Sequence, residues 1–274
     1  MSLSKKIDFA IIISVKNANP NGDPLNGNRP RVNYEGYGEI SDVCLKRKIR
    51  NRLLDDGQSI LVQSDDYRRD DHRSIKARYD SNEEIKKLSK DKDGEKKAKI
   101  ACEQWYDVRA FGQVLAGVDD DSASIAIRGP ISIQSAFSIE PVDITSNQII
   151  KSVNLKTDKK DPSQKAGDTM GMKHRVDSGV YLTFGSINRQ LAEKTGFSDK
   201  DAEIFKKMLT KMFENDDSSA RPAGSMEVMK VIWWTHNEKT LSSAKVHRSL
   251  KVNIDGSYTI SQLDGINIEE LDGQ

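Results

Sequence analysis

The chain has 274 residues, of which 36% are hydrophobic and 31% charged, and its formal net charge is +1 at pH 7. That length can bury a sizeable core in one elaborated domain, and no apolar run approaches the roughly 20 residues that cross a bilayer, so no membrane partner is expected. The near-neutral charge excludes a uniformly basic coat, and Cys44 and Cys102, without a C-x-x-C pair, indicate neither zinc nor a disulfide framework. The start of the chain has no secretory pattern, because Asp8 interrupts the apolar run, so a cytoplasmic location is expected.

In chain order, Ile7 to Val15 reads as a buried central strand, since Ile11, Ile12, Ile13 and Val15 form a near-continuous β-branched run. It feeds Asn17-Ala-Asn-Pro-Asn-Gly-Asp-Pro24 and Leu25-Asn-Gly-Asn-Arg-Pro-Arg31, a polar loop suited to approach a ligand. There Gly22 and Gly27 permit positive φ, and Pro20, Pro24 and Pro30 fix φ. Ser41 is an N-cap for a helix carrying Leu45, Ile49 and Leu53 along one face. Asp65 to Gly94 is highly charged and poor in large apolar residues, which predicts a loop or helical excursion from the core. Lys96 to Ala116 recovers a helical period through Ala101, Trp105, Val108 and Leu115.

Ala123 to Ile127 and Ile131 to Ile139 are strand-like. In the second, Ile131, Ile133, Ser135, Phe137 and Ile139 alternate with Ser132, Gln134, Ala136 and Ser138, whose face is polar enough to meet a ligand. Thr145 to Met172 reads as a protruding hairpin, and Val176 to Phe184 as a return to the core. Ser198-Asp-Lys-Asp201 forms a capping-box pattern before Ala202, Phe205, Met208, Leu209, Met212 and Phe213 at helical spacing. Glu227 to Thr235 is a further strand, and β pieces at Val246–Ile254 and Ser257–Ile260 flank an Asp255-Gly256 turn. Without the excursions the order is strand, helix, strand, strand, helix, strand. That is the α+β, ferredoxin-like arrangement shared by RNA-recognition folds.

Five positive side chains lie between Lys46 and Arg52, beside the loop, and suggest a phosphate-rich partner. Arg52 falls near the apolar side of its helix, where a charge must snorkel or find a partner, and a polyanion would be one. Lys173-His174-Arg175 follows Met170-Gly-Met172, so a basic cluster stands at the hairpin base; the methionines either wedge against an unstacked base or plug a core gap. Arg109 and Arg128 are open between phosphate binding and pairing with a nearby carboxylate. Asp23 is the carboxylate of the ligand-facing loop, with a turn role the simpler one. His72, His174, His236 and His247 form no H-x-x-x-H pattern, and no catalytic residue, metal or cofactor is expected. The competing accounts are a ferredoxin-like endoribonuclease using His174 or Asp23, and a structural protein that assembles without nucleic acid.

One ordered set of motifs spans most of the chain. It comprises the strand leading into Asn-Pro-Asn-Gly-Asp-Pro24, the Lys46-Arg47-Lys-Ile-Arg50 helix, Asp107-Val-Arg109-Ala-Phe-Gly112, Arg128-Gly-Pro130 leading to Gln134-Ser-Ala-Phe137, and Met172-Lys-His-Arg175. This set resembles the backbone subunit of type I CRISPR interference complexes (RAMP superfamily), most like the type I-C form, over roughly Lys6 to Leu250. The resemblance implies a single RRM-like palm domain over residues 1–274, with a helical finger insertion at 60–100 and a β-hairpin thumb at 141–175. It implies a non-catalytic scaffold whose copies polymerise along a guide RNA (crRNA), a neighbouring thumb flipping out nucleotides while the remaining guide bases pair with a target DNA strand. Other Cascade subunits and a trans-acting helicase-nuclease would be further partners. Asn17, Asn19, Asn21 and Arg31 would then lie near the RNA path and Lys46, Arg47 and Arg50 on its phosphates. Gln134 and Ser135 would contribute from the sheet, Met170, Met172, Lys173, His174 and Arg175 from the thumb and its root, and Arg109 and Arg128 as further contacts.

Overall fold

The computed structural model describes residues 2–88, 93–115, 125–150, 170–237 and 240–274. β1 (Ile7–Ala18) runs past its predicted end at Val15 and is buried throughout from Ile7 to Ile13. The loop after it is closed by a short ladder of β2 (Gly22–Asp23) with β3 (Arg29–Pro30), and β4 (Tyr37–Ile40) leads into α1 (Asp42–Asp55). Ser41 caps α1 by accepting from Cys44 N, as its position predicts.

The charged stretch that follows folds into α2 (Ile75–Asp80) and α3 (Glu83–Lys86), and with α4 (Gly94–Gln104) and α5 (Tyr106–Phe111) it builds a small core of its own. Leu61, Tyr79, Ile85, Ala101, Trp105 and Val108 make that core. Its cost in buried charge is met locally: Arg78, 5% exposed, binds Asp70 and the carbonyls of Leu61 and His72. The single helix predicted from Lys96 breaks at Trp105, which is extended (φ −114°, ψ 123°) and stacks on Tyr79 at 5.9 Å. Packing of a large aromatic outweighs the local helical period here. Gly112, at φ 79°, ends α5 and opens β5 (Gly112–Leu115), which pairs with β6 (Ile125–Arg128).

β7 (Ile131–Ile133), β8 (Ala136–Pro141) and β9 (Ile144–Ile150) all pair with β10 (Met170–Ile187), a strand that runs from the predicted hairpin into the core. The hairpin tip lies outside the described residues. After β10 come α6 (Arg189–Thr195), which the sequence reading lacked, and α7 (Asp199–Thr210), opened by the expected Ser198–Asp201 capping box. β11 (Met226–His236), α8 (Ser243–His247), β12 (Leu250–Val252), β13 (Tyr258–Ile260) and β14 (Ile266–Asp272) complete the chain. α8 replaces the start of a predicted strand, because Ser242 caps it by accepting from Lys245 N. Among the described residues no helix is long and apolar enough to cross a membrane.

The fold is mixed α/β, with one eight-stranded antiparallel sheet in the order β14-β11-β1-β10-β8-β4 and β7 and β9 also on β10. Phe9, Ile11 and Ile13 face α1 and α7, where Leu45, Ile49, Leu53, Phe205 and Leu209 are fully buried. Each such aliphatic side chain contributes about 1.5–3 kcal/mol relative to exposure. Ala10, Ile232 and Trp234 face the other way, under Val246, Leu250 and Ile266, so the C-terminal segment covers part of the second sheet face.

The predicted alternation in Ile131–Ile139 fails halfway. Ile133 pairs with Gly185 and Phe137 with Leu182, four steps along one strand against three along the other. The extra residue is a bulge at Gln134–Ser135, where Gln134 N donates to Phe184 O and Thr183 Oγ1 to Gln134 O. One inserted residue reverses every later side chain. Ala136 and Ser138 are therefore buried and Phe137 is exposed, the reverse of the predicted faces.

Candidate nucleic-acid interface

Loop 17–31 is built by its own asparagines. Asn17 turns the end of β1 at φ 54°, and Asn19 N donates to Ala220 O at 2.8 Å while its Nδ2 donates to Asn28 O at 2.7 Å. Asn21 Oδ1 accepts from both Ser41 N and Ser41 Oγ, at 2.9 and 2.8 Å, which ties the loop to the N-terminus of α1. Asp23 caps the Pro24–Asn26 turn by accepting from Leu25 N and lies 3.6 Å from Arg31, the turn role that its position suggests. Much of the amide chemistry read as ligand-facing therefore holds the loop in shape.

The basic run on α1 divides by partner. Arg47 is exposed and forks onto the exposed Asp66 at 2.8 and 2.9 Å, and Lys46 bonds Asp42 at 2.9 Å. Such surface pairs are worth about 0–1 kcal/mol and yield readily to a phosphate. Lys48 is buried on Asp216, which also accepts from Arg221 Nε at 2.9 Å; burial pushes the Lys48 ammonium below its ordinary pKa, against the pull of Asp216. Arg50 Nε donates to the buried Asp107 at 2.9 Å and its guanidinium lies over Phe111, while Arg52 binds Asp55 and Tyr67. The partner that the sequence reading offered Arg52 in a polyanion is internal.

The hairpin root meets this loop through one hydroxyl. Ser146 Oγ on β9 accepts from Arg29 Nη1 at 3.0 Å and lies 2.8 Å from His174 Nδ1 on β10, where the β9–β10 register sets Ser146 opposite His174. Met170 and Met172 are 62% and 53% exposed, which rules out the core-plug alternative. Arg175 bonds Asp177 at 3.3 Å. A hollow of about 300 Å³ lies between Asn19, Asn28, Met172, Lys173 and His174, and a second, of about 350 Å³, between Asn21, Arg47, Lys48, Asn51, Tyr67 and Arg221. The loop thus runs between two hollows, each edged by cations.

Other predicted site residues stand apart. Arg109 binds Asp201 at 2.9 Å and stacks on Tyr106, the carboxylate alternative. Arg128 is exposed at the end of β6, near the start of β1, while the loop is at its far end, on the order of 40 Å away along the 12-residue strand. Gln134 and Ser135 occupy the bulge. Sequence reasoning did not single out Asn28 and Arg29 within the loop, and it missed Ser146 and Arg221; Arg29 and Ser146 meet across 117 residues, a contact no spacing signals.

Exposed cations flanking an amide-built loop, with soft apolar side chains and an imidazole at one end, can hold a phosphodiester chain without reading its sequence. The profile of the family CRISPR-associated protein Cas7 matches residues 5–269. The chain belongs to the Cas7 family. A Cas7-family relative from Haloferax volcanii, described as CRISPR-associated protein Cas7, is 26% identical over 238 residues, covering 82% of this chain and 68% of the relative. A chain of the structure described as CRISPR RNA-guided surveillance complex, pre-nicking, aligns with a TM-score of 0.53 at 16% identity over 88% of this chain and 81% of its own. That likeness concerns the Cas7 fold. Another, described as CRISPR RNA-guided surveillance complex, aligns at a TM-score of 0.48 and 15% identity, covering 92% of this chain and 77% of that one.

Proposed function

We propose that this Cas7-family chain is the crRNA-binding backbone subunit of a CRISPR RNA-guided surveillance complex, polymerising along the guide and presenting its bases to a target DNA strand. The observation that carries the reading is the convergence of loop 17–31, α1 and the root of the β9–β10 hairpin on one cation-flanked surface, in a chain matched by the Cas7 profile over residues 5–269. The sheet order β11-β1-β10-β8 is that of a ferredoxin-like fold and supports an RRM-like palm formed by one domain over 1–274. The helical insertion at 60–100, whose small core is completed by Ala101, Trp105 and Val108, is the finger and the hairpin at 141–175 the thumb.

Asn17, Asn19, Asn21, Arg31, Lys46, Arg47, Met170, Met172, Lys173, His174 and Arg175 make up the RNA track, with Arg50 positioning α1 through Asp107. Arg128, Gln134 and Ser135 meet RNA, on this reading, along a different stretch of the filament, and Arg109 serves the palm through Asp201. The type I-C subtype rests on the motif set. Other copies of the chain, further Cascade subunits and a helicase-nuclease acting in trans are the partners, the cytoplasm is the location, and the chain itself cuts nothing.

The test is size-exclusion chromatography of the expressed chain with absorbance at 260 and 280 nm, before and after nuclease. Large particles that carry RNA and collapse after digestion are expected. A species that is free of nucleic acid and neither binds nor assembles on added crRNA overturns the reading.

A further inference from the structure

α1 presents two faces. Leu45, Ile49 and Leu53 lie in the core, while Cys44, Arg47, Lys48 and Asn51, spaced i, i+3, i+4 and i+7, share a second face that walls the hollow of about 350 Å³ beside loop 17–31. The segment after α7 supplies another wall, through Asp216 and Arg221. Asn51 is only 9% exposed, and among the described residues its side-chain amide has no hydrogen-bond partner. It is not sealed off, because the surface it keeps opens into the hollow. Packing gives no reason for an amide at such a position, since a nearly buried polar group ordinarily has a partner. Arg221 is aimed by Asp216, which accepts from its Nε at 2.9 Å and also holds Lys48. Nη1 and Nη2 of Arg221 have no partner among the described residues, so this end of the fork is free to take a phosphate.

We infer that this hollow seats one ribose-phosphate unit, with Arg221 on the phosphate and Asn51 on the 2′-hydroxyl, so that the subunit tells RNA from DNA without reading a base. The inference rests on the RNA-backbone reading above and adds a choice of sugar to it. A 2′-hydroxyl both donates and accepts, and the Asn51 carboxamide offers Oδ1 to the first and Nδ2 to the second. Deoxyribose has neither, and seating it leaves the amide in a closed site with nothing to bond. Guide bases that pair with a target are held away from the protein, which leaves the sugar as the group an amide beside the phosphate fork meets. A subunit built this way seats the guide strand in preference to the DNA strand paired with it.

Fluorescence anisotropy on the full chain tests this, with a short labelled oligoribonucleotide and its all-2′-deoxy counterpart, deoxyuridine replacing uridine so that only the sugar differs. At one salt concentration the RNA is expected to bind about threefold to tenfold more tightly, the range of one hydrogen bond. Asn51→Ala should remove that preference by weakening RNA alone, whereas a loss of structure would weaken both oligomers together. Arg221→Ala, at the more exposed wall, should weaken RNA and DNA equally and flatten the slope of log affinity against log salt by about 0.7, one phosphate contact on a single strand. That variant decides the matter where Asn51→Ala does not fold. Equal affinity of the parent for both oligomers, a preference that survives in folded Asn51→Ala, or an unchanged salt slope in Arg221→Ala overturns the inference and leaves the backbone reading intact. A parent that binds neither oligomer overturns both.

Discussion

Gly112 and Gly129 meet backbone to backbone where β5 begins and β6 ends. A Cβ on Gly112 would fall 2.5 Å from Gly129 N, and one on Gly129 would overlap Gly112 N, Phe111 C and Ala110 O. The two glycines close the Asp107–Gly112 and Arg128–Pro130 motifs, which are separate in sequence and single in space. Their approach seats α5 against the β5–β6 ladder and thereby holds the Asp107 that anchors α1.

Gly129→Ala is therefore expected to destabilise the fold by about 1–3 kcal/mol, because the obstructing atoms are backbone and cannot swing aside. Urea unfolding followed by circular dichroism should show a lowered midpoint at an unchanged slope. A midpoint equal to that of the parent would mean that the two backbones do not approach as described.

The cations of α1 separate by partner into a surface group, Lys46 and Arg47, and a group tied to the core. Replacing Lys46 and Arg47 together by Ala should leave stability within about 0.5 kcal/mol, since both pairs are at the surface. The slope of log affinity for RNA against log salt should flatten by about 1.4, at roughly 0.7 per phosphate contact on a single strand. Arg50→Ala should instead cost about 3 kcal/mol of stability, because it strips the charged partner from buried Asp107 and leaves that carboxylate with the Leu61 and Val62 amides. A flattened salt slope in folded Arg50→Ala would return Arg50 to the RNA track.

Asp8 should govern acid stability. Burial alone would raise its pKa, but the hydrogen bond with His236, the nearby His247 ring and Ser243 hydroxyl, and the charge of Lys6 reverse that and hold it well below the usual carboxylate range. The folded pKa lies below the unfolded one, near 4, so the stabilisation is complete above about pH 4 and is lost as pH falls from there toward the folded value. Asp8→Asn should be less stable than the parent at pH 7, and the two stabilities should converge on acidification. Unfolding free energies measured from pH 7 to 2.5 that run parallel would remove Asp8 from that role.

The core of the main sheet was readable because it is local. β1 declares itself by an unbroken β-branched run, α1 by Leu45, Ile49 and Leu53 under a serine cap, and α7 by its capping box. The loop and the hairpin root were each visible too, through Gly, Pro and Asn in one and Met and basic residues in the other.

Contact between loop and root was not visible, since it passes through Ser146, 117 residues from Arg29, whose spacing carries no mark of either partner. The face on which Phe137 lies turned on one bulged residue, and the fate of each α1 cation on which carboxylate arrived beside it. Periodicity records what a segment must bury, and that much is written residue by residue along the chain. Charge pairing, register shifts and the closure of hollows depend on which distant segments are brought within a few ångströms, so they exist only once the sheet has formed.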